Sequence, residues 1–202
     1  MCIRDRAYLE NNIVVGNCGY FDGQPFAHWV DHCRAAGNAL SLTVRRGDQA
    51  RVVNNTIAGE GDCLLLGECA DGNCDGSETF VLRNNILLGA ADFLQPDELT
   101  CLMWAEALPG DPFDTDYNLV TGVKDDACPG AHDRCGVAPG LVNPALDAFD
   151  AHLLPASPAI DAGTASGAPA SDFDNLSRDA TPDRGAYEWR TLHASYLPQI
   201  VR

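Results

Sequence analysis

The chain has 202 residues, enough for one domain with a sizeable core, and a formal net charge of −16. So acidic a surface argues against nucleic acid and against anionic membranes as partners, and no run approaches the ~20 apolar residues of a membrane span. Nine cysteines in an acidic chain point to an oxidising compartment and to disulfides; no CxxC pair suggests zinc instead.

In chain order, MCIRDR (1–6) has no apolar signal-peptide core. It is similar to a peptide that recurs at the ends of metagenomic fragment translations, so it is set aside as a non-native leader, with an upstream part expected to be missing. Without Cys2, eight cysteines remain. LENNIVVG (9–16) then opens a pattern that returns as VVNNTIAG (52–59), VLRNNILLG (81–89) and, weaker, DYNLVTG (116–122). Aligned on Asn12, Asn55, Asn85 and Asn118, the copies are 43, 30 and 33 residues apart, a period typical of solenoids. Their aliphatic and β-branched flanks alternate with period two, as strands do. Further apolar strands precede the later copies: ALSLTV (39–44), CLLLG (63–67) and CLMWA (101–105). Three short strands per unit describe a parallel β-helix coil, in which stacking pairs the edges of each coil with the next. Asparagine suits the bend between two strands because it tolerates left-handed backbone, and equivalent amides one strand spacing apart can form a ladder.

The predicted fold is therefore all-β: a right-handed parallel β-helix of about four to five coils with an Asn ladder and a C-terminal cap. Coils occupy 7–150, with loop insertions at 18–37, 67–78, 90–100 and 124–136; 151–190 closes the fold and 191–202 is a tail. Cys63 and Cys101 start equivalent strands, which predicts a staple between coils. Local pairs Cys18–Cys33, Cys69–Cys74 and Cys128–Cys135 would close loops, although connectivity does not follow from sequence.

The NNxI repeats, together with SPAIDAG (157–163) and PDRGAYE (182–188), resemble the right-handed parallel β-helix proteins of the pectate-lyase-like superfamily. The ending is similar to the closing segment of secreted, surface-anchored bacterial members. The final SYLPQIVR resembles the ends of some secreted proteins and reads equally as a last strand. The resemblance implies an extracellular or cell-surface location and polysaccharide or cell-wall glycan as partner. Enzymes of this fold cleave acidic polysaccharides as lyases, often with calcium and a Lys or Arg base, or as hydrolases with paired carboxylates.

Residues for such chemistry are sparse. Lys124, the single lysine, lies beside Asp125 and Asp126 and makes a poor base. Arg45, Glu68 and Glu106 follow equivalent strands and are expected in one stacked row, with Trp104 either a sugar platform beside it or a core residue. The insertion adds Tyr20, His28, Trp29 and Asp31, as a carbohydrate cleft or as a loop that packs its own aromatics. Arg46 joins the binding candidates; Arg46-Gly47-Asp48 spells an adhesion tripeptide, and Asn54-Asn55-Thr56 a glycosylation sequon that a laddered Asn would serve poorly. No cofactor is demanded. Calcium is considered at Asp71, Asn73 and Asp75, half of a calcium loop whose twelfth position is Leu82 instead of Glu, and at Asp172 and Asp174, where turn capping is the simpler reading. The expected role is binding or display of glycan by a surface protein, with a polysaccharide lyase or glycoside hydrolase as the alternative. Oligomeric state is not legible.

Overall fold

A computed structural model of the chain describes residues 6–16, 40–59, 64–69, 72–89, 102–104, 113–121, 129–145 and 148–190. Among the described residues there are fourteen strands: β1 (Arg6–Glu10), β2 (Ile13–Gly16), β3 (Leu40–Val44), β4 (Gln49–Val53), β5 (Thr56–Gly59), β6 (Leu64–Cys69), β7 (Thr79–Arg83), β8 (Ile86–Gly89), β9 (Leu102–Trp104), β10 (Phe113–Asp116), β11 (Leu119–Val120), β12 (Arg134–Cys135), β13 (Leu141–Asn143) and β14 (Asp150–Leu153). The described residues are all-β, in mostly parallel sheets ordered β1-β4-β7-β10, β12-β11-β8-β5-β2 and β3-β6-β9, plus the antiparallel pair β13-β14. From β1 to β11 the chain visits the three parallel sheets in the same order each time, so each strand pairs with its counterpart one unit away. None of the described helical segments is long and apolar enough to cross a membrane.

The strand pattern follows from which face is covered. In β4, Ala50 and Val52 point inward while Gln49 stays exposed and Arg51 half-buried; in β7, Phe80 and Leu82 are buried and Thr79 exposed. β5 departs from alternation: Thr56, Ile57, Ala58 and Gly59 are all buried. Its outer face is covered by the closing segment, where the Ala186 N–H donates to Thr56 Oγ1 at 3.1 Å.

The asparagine pairs divide their work. The first of each pair takes the left-handed backbone (Asn11 φ 55°, Asn54 φ 54°, Asn84 φ 55°). The second forms the ladder. Asn12 donates from its backbone N and its Nδ2 to Asn55 Oδ1 (2.8 and 3.1 Å), Asn55 in the same way to Asn85 Oδ1 (2.9 and 3.1 Å), and Asn85 to Asn118 Oδ1 (3.0 and 2.9 Å). The Nδ2 of the last three also reaches the preceding unit: Asn55 to Leu9 O, Asn85 to Val52 O, Asn118 to Leu82 O. Asn54, Asn55, Asn84, Asn85 and Asn118 are fully buried, where an unpaired amide would cost on the order of 1–3 kcal/mol. The sequon at Asn54–Thr56 is thereby closed to modification.

Two features lie outside the repeat pattern. Within the expected loop insertion 124–136, residues 133–135 carry the next rung: β12 pairs with β11, and Asp133 Oδ1 accepts from Asn118 N and Nδ2 at 2.5 and 3.1 Å. A carboxylate stands there in place of an amide, only 15 residues after Asn118, outside the repeat period. Burial raises its pKa, partly offset by the N–H donors of Asn118 and of Gly130. The closing segment, 151–190, does more than end the fold. It runs alongside the stack, with hydrogen bonds reaching Asn11, Asn54, Asn84 and Asn118 in successive units.

The motifs of that segment have local causes. Ser157 Oγ donates to Pro139 O, Ala159 is fully buried among Ile86, Leu119, Leu141 and Leu153, and the Asp161 N–H donates to Asp183 Oδ1 at 2.7 Å. A Cβ on Gly163 would lie 2.6 Å from Pro182 O, and one on Gly185 (φ 93°) 2.7 Å from Ile86 Cδ1. Glycine is required at both because backbone packs directly on backbone or core.

Candidate functional site

The outer face of the sheet β1-β4-β7-β10 gathers the polar groups best placed to meet a ligand. Tyr8, Arg51, Val81 and Asp114 are register partners in one row across the four strands, and Glu10, Val53, Arg83 and Asp116 form the next. Tyr8 is 55% exposed. Arg51 Nε lies 3.7 Å from Glu10 Oε1, and its NH2 donates to Gly167 O at 3.0 Å, so the closing segment borders this face. One Arg83 nitrogen contacts both Asp114 carboxylate oxygens, at 2.8 and 2.7 Å.

The row ends in an oriented imidazole. His132 Nδ1 is 2.7 Å from Asp116 Oδ2, and the His132 N–H donates to Asp116 Oδ1 at 2.7 Å. Burial works to raise the Asp116 pKa, but its bonds to His132 and the Tyr117 N–H outweigh this and hold it below the usual carboxylate range. The His132 ring stacks on Tyr117 at 4.5 Å and 9°, and is more than half exposed, with Nε2 open to a ligand among the described residues. Tyr117 takes the left-handed bend (φ 62°) that Asn occupies in the preceding units. A tyrosine there costs backbone energy of order 1–3 kcal/mol, a pattern that clusters at functional positions.

A second histidine lies on the closing segment's side. His152 Nδ1 is 2.6 Å from Asp150 Oδ1 and its Nε2 3.2 Å from Asp174 Oδ2. The ring stacks on Tyr187 at 3.7 Å, and Phe173, 48% exposed, meets Tyr187 edge-on at 5.6 Å.

The sequence candidates distribute differently. Arg45 and Glu68 are not register partners. After Leu42↔Leu66 the pairing shifts to Thr43↔Glu68, because Gly67 is skipped by an irregularity, so Glu68 stands beside Thr43 and not Arg45. Arg45 instead begins a turn whose N–H bonds to Asp48 Oδ2 at 2.8 Å, and Glu106 lies outside the described residues. The backbone of Trp104 pairs with Leu66 in β9. Tyr20, His28, Trp29 and Asp31 lie outside the described residues, as do Cys18, Cys33, Cys63, Cys101, Cys128 and Asp71. The residues that follow Cys63 and Cys101, Leu64 and Leu102, are register partners. Cys74 and Cys135 are disulfide-bonded, and Cys69 ends β6.

Arg46 is exposed and pairs with Asp75 at 2.6 Å; Asp48 of the adhesion tripeptide is buried in its own turn. Asp75 also accepts from Ser77 Oγ at 2.6 Å, and Asn73 is exposed nearby in sequence. The organiser of this region is Glu78, which went unnoticed in the sequence. It is buried and accepts backbone N–H groups of Gly47, Asp75 and Gly76, which hold its pKa down against the opposing effect of burial. Asp172 accepts from Leu176 N (2.8 Å) and Glu188 N (3.0 Å), while Asp174 faces His152. Among the described residues no three His, Cys, Asp or Glu side chains converge to hold a metal. No protein-family model matches the chain, and no curated protein is significantly similar to it.

Proposed function

We propose that the chain winds as a right-handed parallel β-helix of the pectate-lyase-like kind and acts outside the cell, or at its surface, as a glycan-binding protein. The recurring order of three parallel sheets and the amide ladder support the winding. The observation that carries the binding role is the pair of outer rows, one with Tyr8, Arg51 and Asp114 and the next with Glu10, Arg83 and Asp116, the second ending at the Tyr117–His132 stack. Aromatic rings stack on the C–H faces of sugars, while the guanidinium, carboxylate and imidazole groups meet hydroxyls. The net charge of −16 favours a neutral glycan over a polyuronate.

Calorimetric titration with neutral and uronate oligosaccharides tests this reading. Neutral glycans are expected to bind without turnover, and Tyr8→Ala and His132→Ala to weaken binding by about tenfold each. Binding of no glycan, or affinity unaffected by both substitutions, refutes it. One observation favours the enzymatic alternative, a lyase or hydrolase: the Asp116–His132 pair engages Nδ1 and leaves Nε2 without a partner among the described residues, as a general acid or base requires. Release of unsaturated or reducing sugar ends that His132→Gln abolishes would establish that alternative.

A further inference from the structure

We infer that His152 is a proton-dependent clasp tying the turn that carries Phe173, Asp174 and Leu176 to strand β14. The stereochemistry of the ring carries the inference. Both nitrogens face carboxylate oxygens, Nδ1 that of Asp150 and Nε2 that of Asp174, at 2.6 and 3.2 Å. An ionised carboxylate only accepts, and a neutral imidazole has one N–H to give. The two contacts are therefore both hydrogen bonds only when the ring carries two protons.

The ring is also fixed in place. The His152 N–H donates to Asp150 Oδ1 at 3.1 Å, the imidazole lies flat on Tyr187, and Tyr187 is itself 92% buried by the closing segment and by the edge of Phe173. The charged or titratable groups around the ring are Asp150 on β14, Asp174 on the turn, and the Tyr187 phenol, with Asp172 behind the phenol. Arg178 acts on Asp172 behind the phenol, but among the described residues the cation paired with Asp150 and Asp174 is His152 itself. Partial burial works against that proton, but the bonds to and charges of Asp150 and Asp174 prevail and the pKa is raised.

The linkage runs in one direction. A histidine whose pKa is raised on folding contributes its stability below the ordinary value of 6.5, and loses it as pH rises through the higher folded value. On deprotonation the longer contact, to Asp174, is the one that lapses. The turn 172–176 is then held to this side of the fold by Asp172 and the backbone, not by β14. Phe173 and Leu176, 48% and 44% exposed, are the side chains whose position it governs.

The test is amide hydrogen exchange on the full chain between about pH 5 and 8, corrected for intrinsic exchange, with NMR titration of the histidines. His152 is expected to titrate above 6.5, and protection of 172–176 to fall by about tenfold through that titration while the ladder amides stay protected. Asp174→Asn, at a half-exposed site that leaves the fold intact, should remove most of the pH dependence; His152→Gln should do the same. Equal protection of 172–176 across the range, a His152 titration below 6.5, or an unaltered pH profile in Asp174→Asn overturns the inference.

Discussion

The stacked units and the closing segment solve the same problem, burying polar backbone, by opposite means. In the units the backbone pairs with itself in parallel register and a single side chain per turn, the second asparagine, is repeated to finish the job. From 154 to 190 regular pairing nearly vanishes, and side chains satisfy the backbone one group at a time. Asp183 takes the N–H groups of Asp161 and Trp189; Glu188 takes those of Asp179 and Asp183. Arg178 donates to Glu188, Asn11 and the carbonyls of Gly185 and Ala186, with both ends of its ion pair almost fully buried. The repeats thus have many interchangeable weak links, and the closing segment a few that are individually indispensable.

Substitutions should separate the two regions by size of effect. Arg178→Ala leaves Glu188 charged and buried without its partner, and a loss of about 3–5 kcal/mol is expected in chemical denaturation. A loss below about 1 kcal/mol would show that the closing segment is as redundant as the repeats. Asn85→Ala, in mid-ladder, should cost about 2–3 kcal/mol, because it removes the acceptor of the Asn55 backbone N–H and the side-chain donor to the Val52 carbonyl. Asn12→Ala, half-buried at the first rung, should cost roughly 1 kcal/mol or less. Equal costs at the two positions would mean that the ladder is not cooperative along its length.

Individual carboxyls in the two regions should also answer pH with opposite sign, although Asp133 among the repeats is raised like Asp183. Burial pushes the Asp183 carboxyl up to about 6, only partly offset by the N–H groups of Trp189 and Asp161. Its contribution is complete below the ordinary value of 3.8 and is lost as pH rises through about 6. Glu78 and Asp116, among the repeats, are depressed, so what they contribute is lost as pH falls through their folded values. The melting temperature should therefore peak in mild acid, between about pH 4 and 6, and Asp183→Asn should flatten the decline above the peak. The smallest effect is expected from Tyr117→Asn. Relief of the left-handed bend offsets the lost stack on His132, leaving stability within about 1 kcal/mol while binding of the proposed glycan ligand weakens.

Legibility followed the same division. Asn12, Asn55, Asn85 and Asn118 were readable because the stack imposes one environment on each copy, and a repeated environment leaves a repeated residue. Asp133 escaped because it follows Asn118 by 15 residues and is not an asparagine. The expected Arg45–Glu68 row failed on one skipped residue, Gly67, since a single irregularity slides everything after it in the strand. The histidine sites were invisible for another reason: Asp116 and His132 are 16 residues apart, and His152 and Asp174 are 22 apart, with no period linking either pair.

What the amino-acid sequence determined by itself is the all-β character, the strand and asparagine pattern, and the acidity that narrows the partners. These depend on local preference and on identical neighbours, which a linear repeat records. Only the tertiary structure decided that residues 151–190 lie along the stack, that Tyr117 and His132 meet, and that His152 stands between two carboxylates. Those contacts join segments with no common period, and their geometry exists only once the irregular chain has been laid against the regular one.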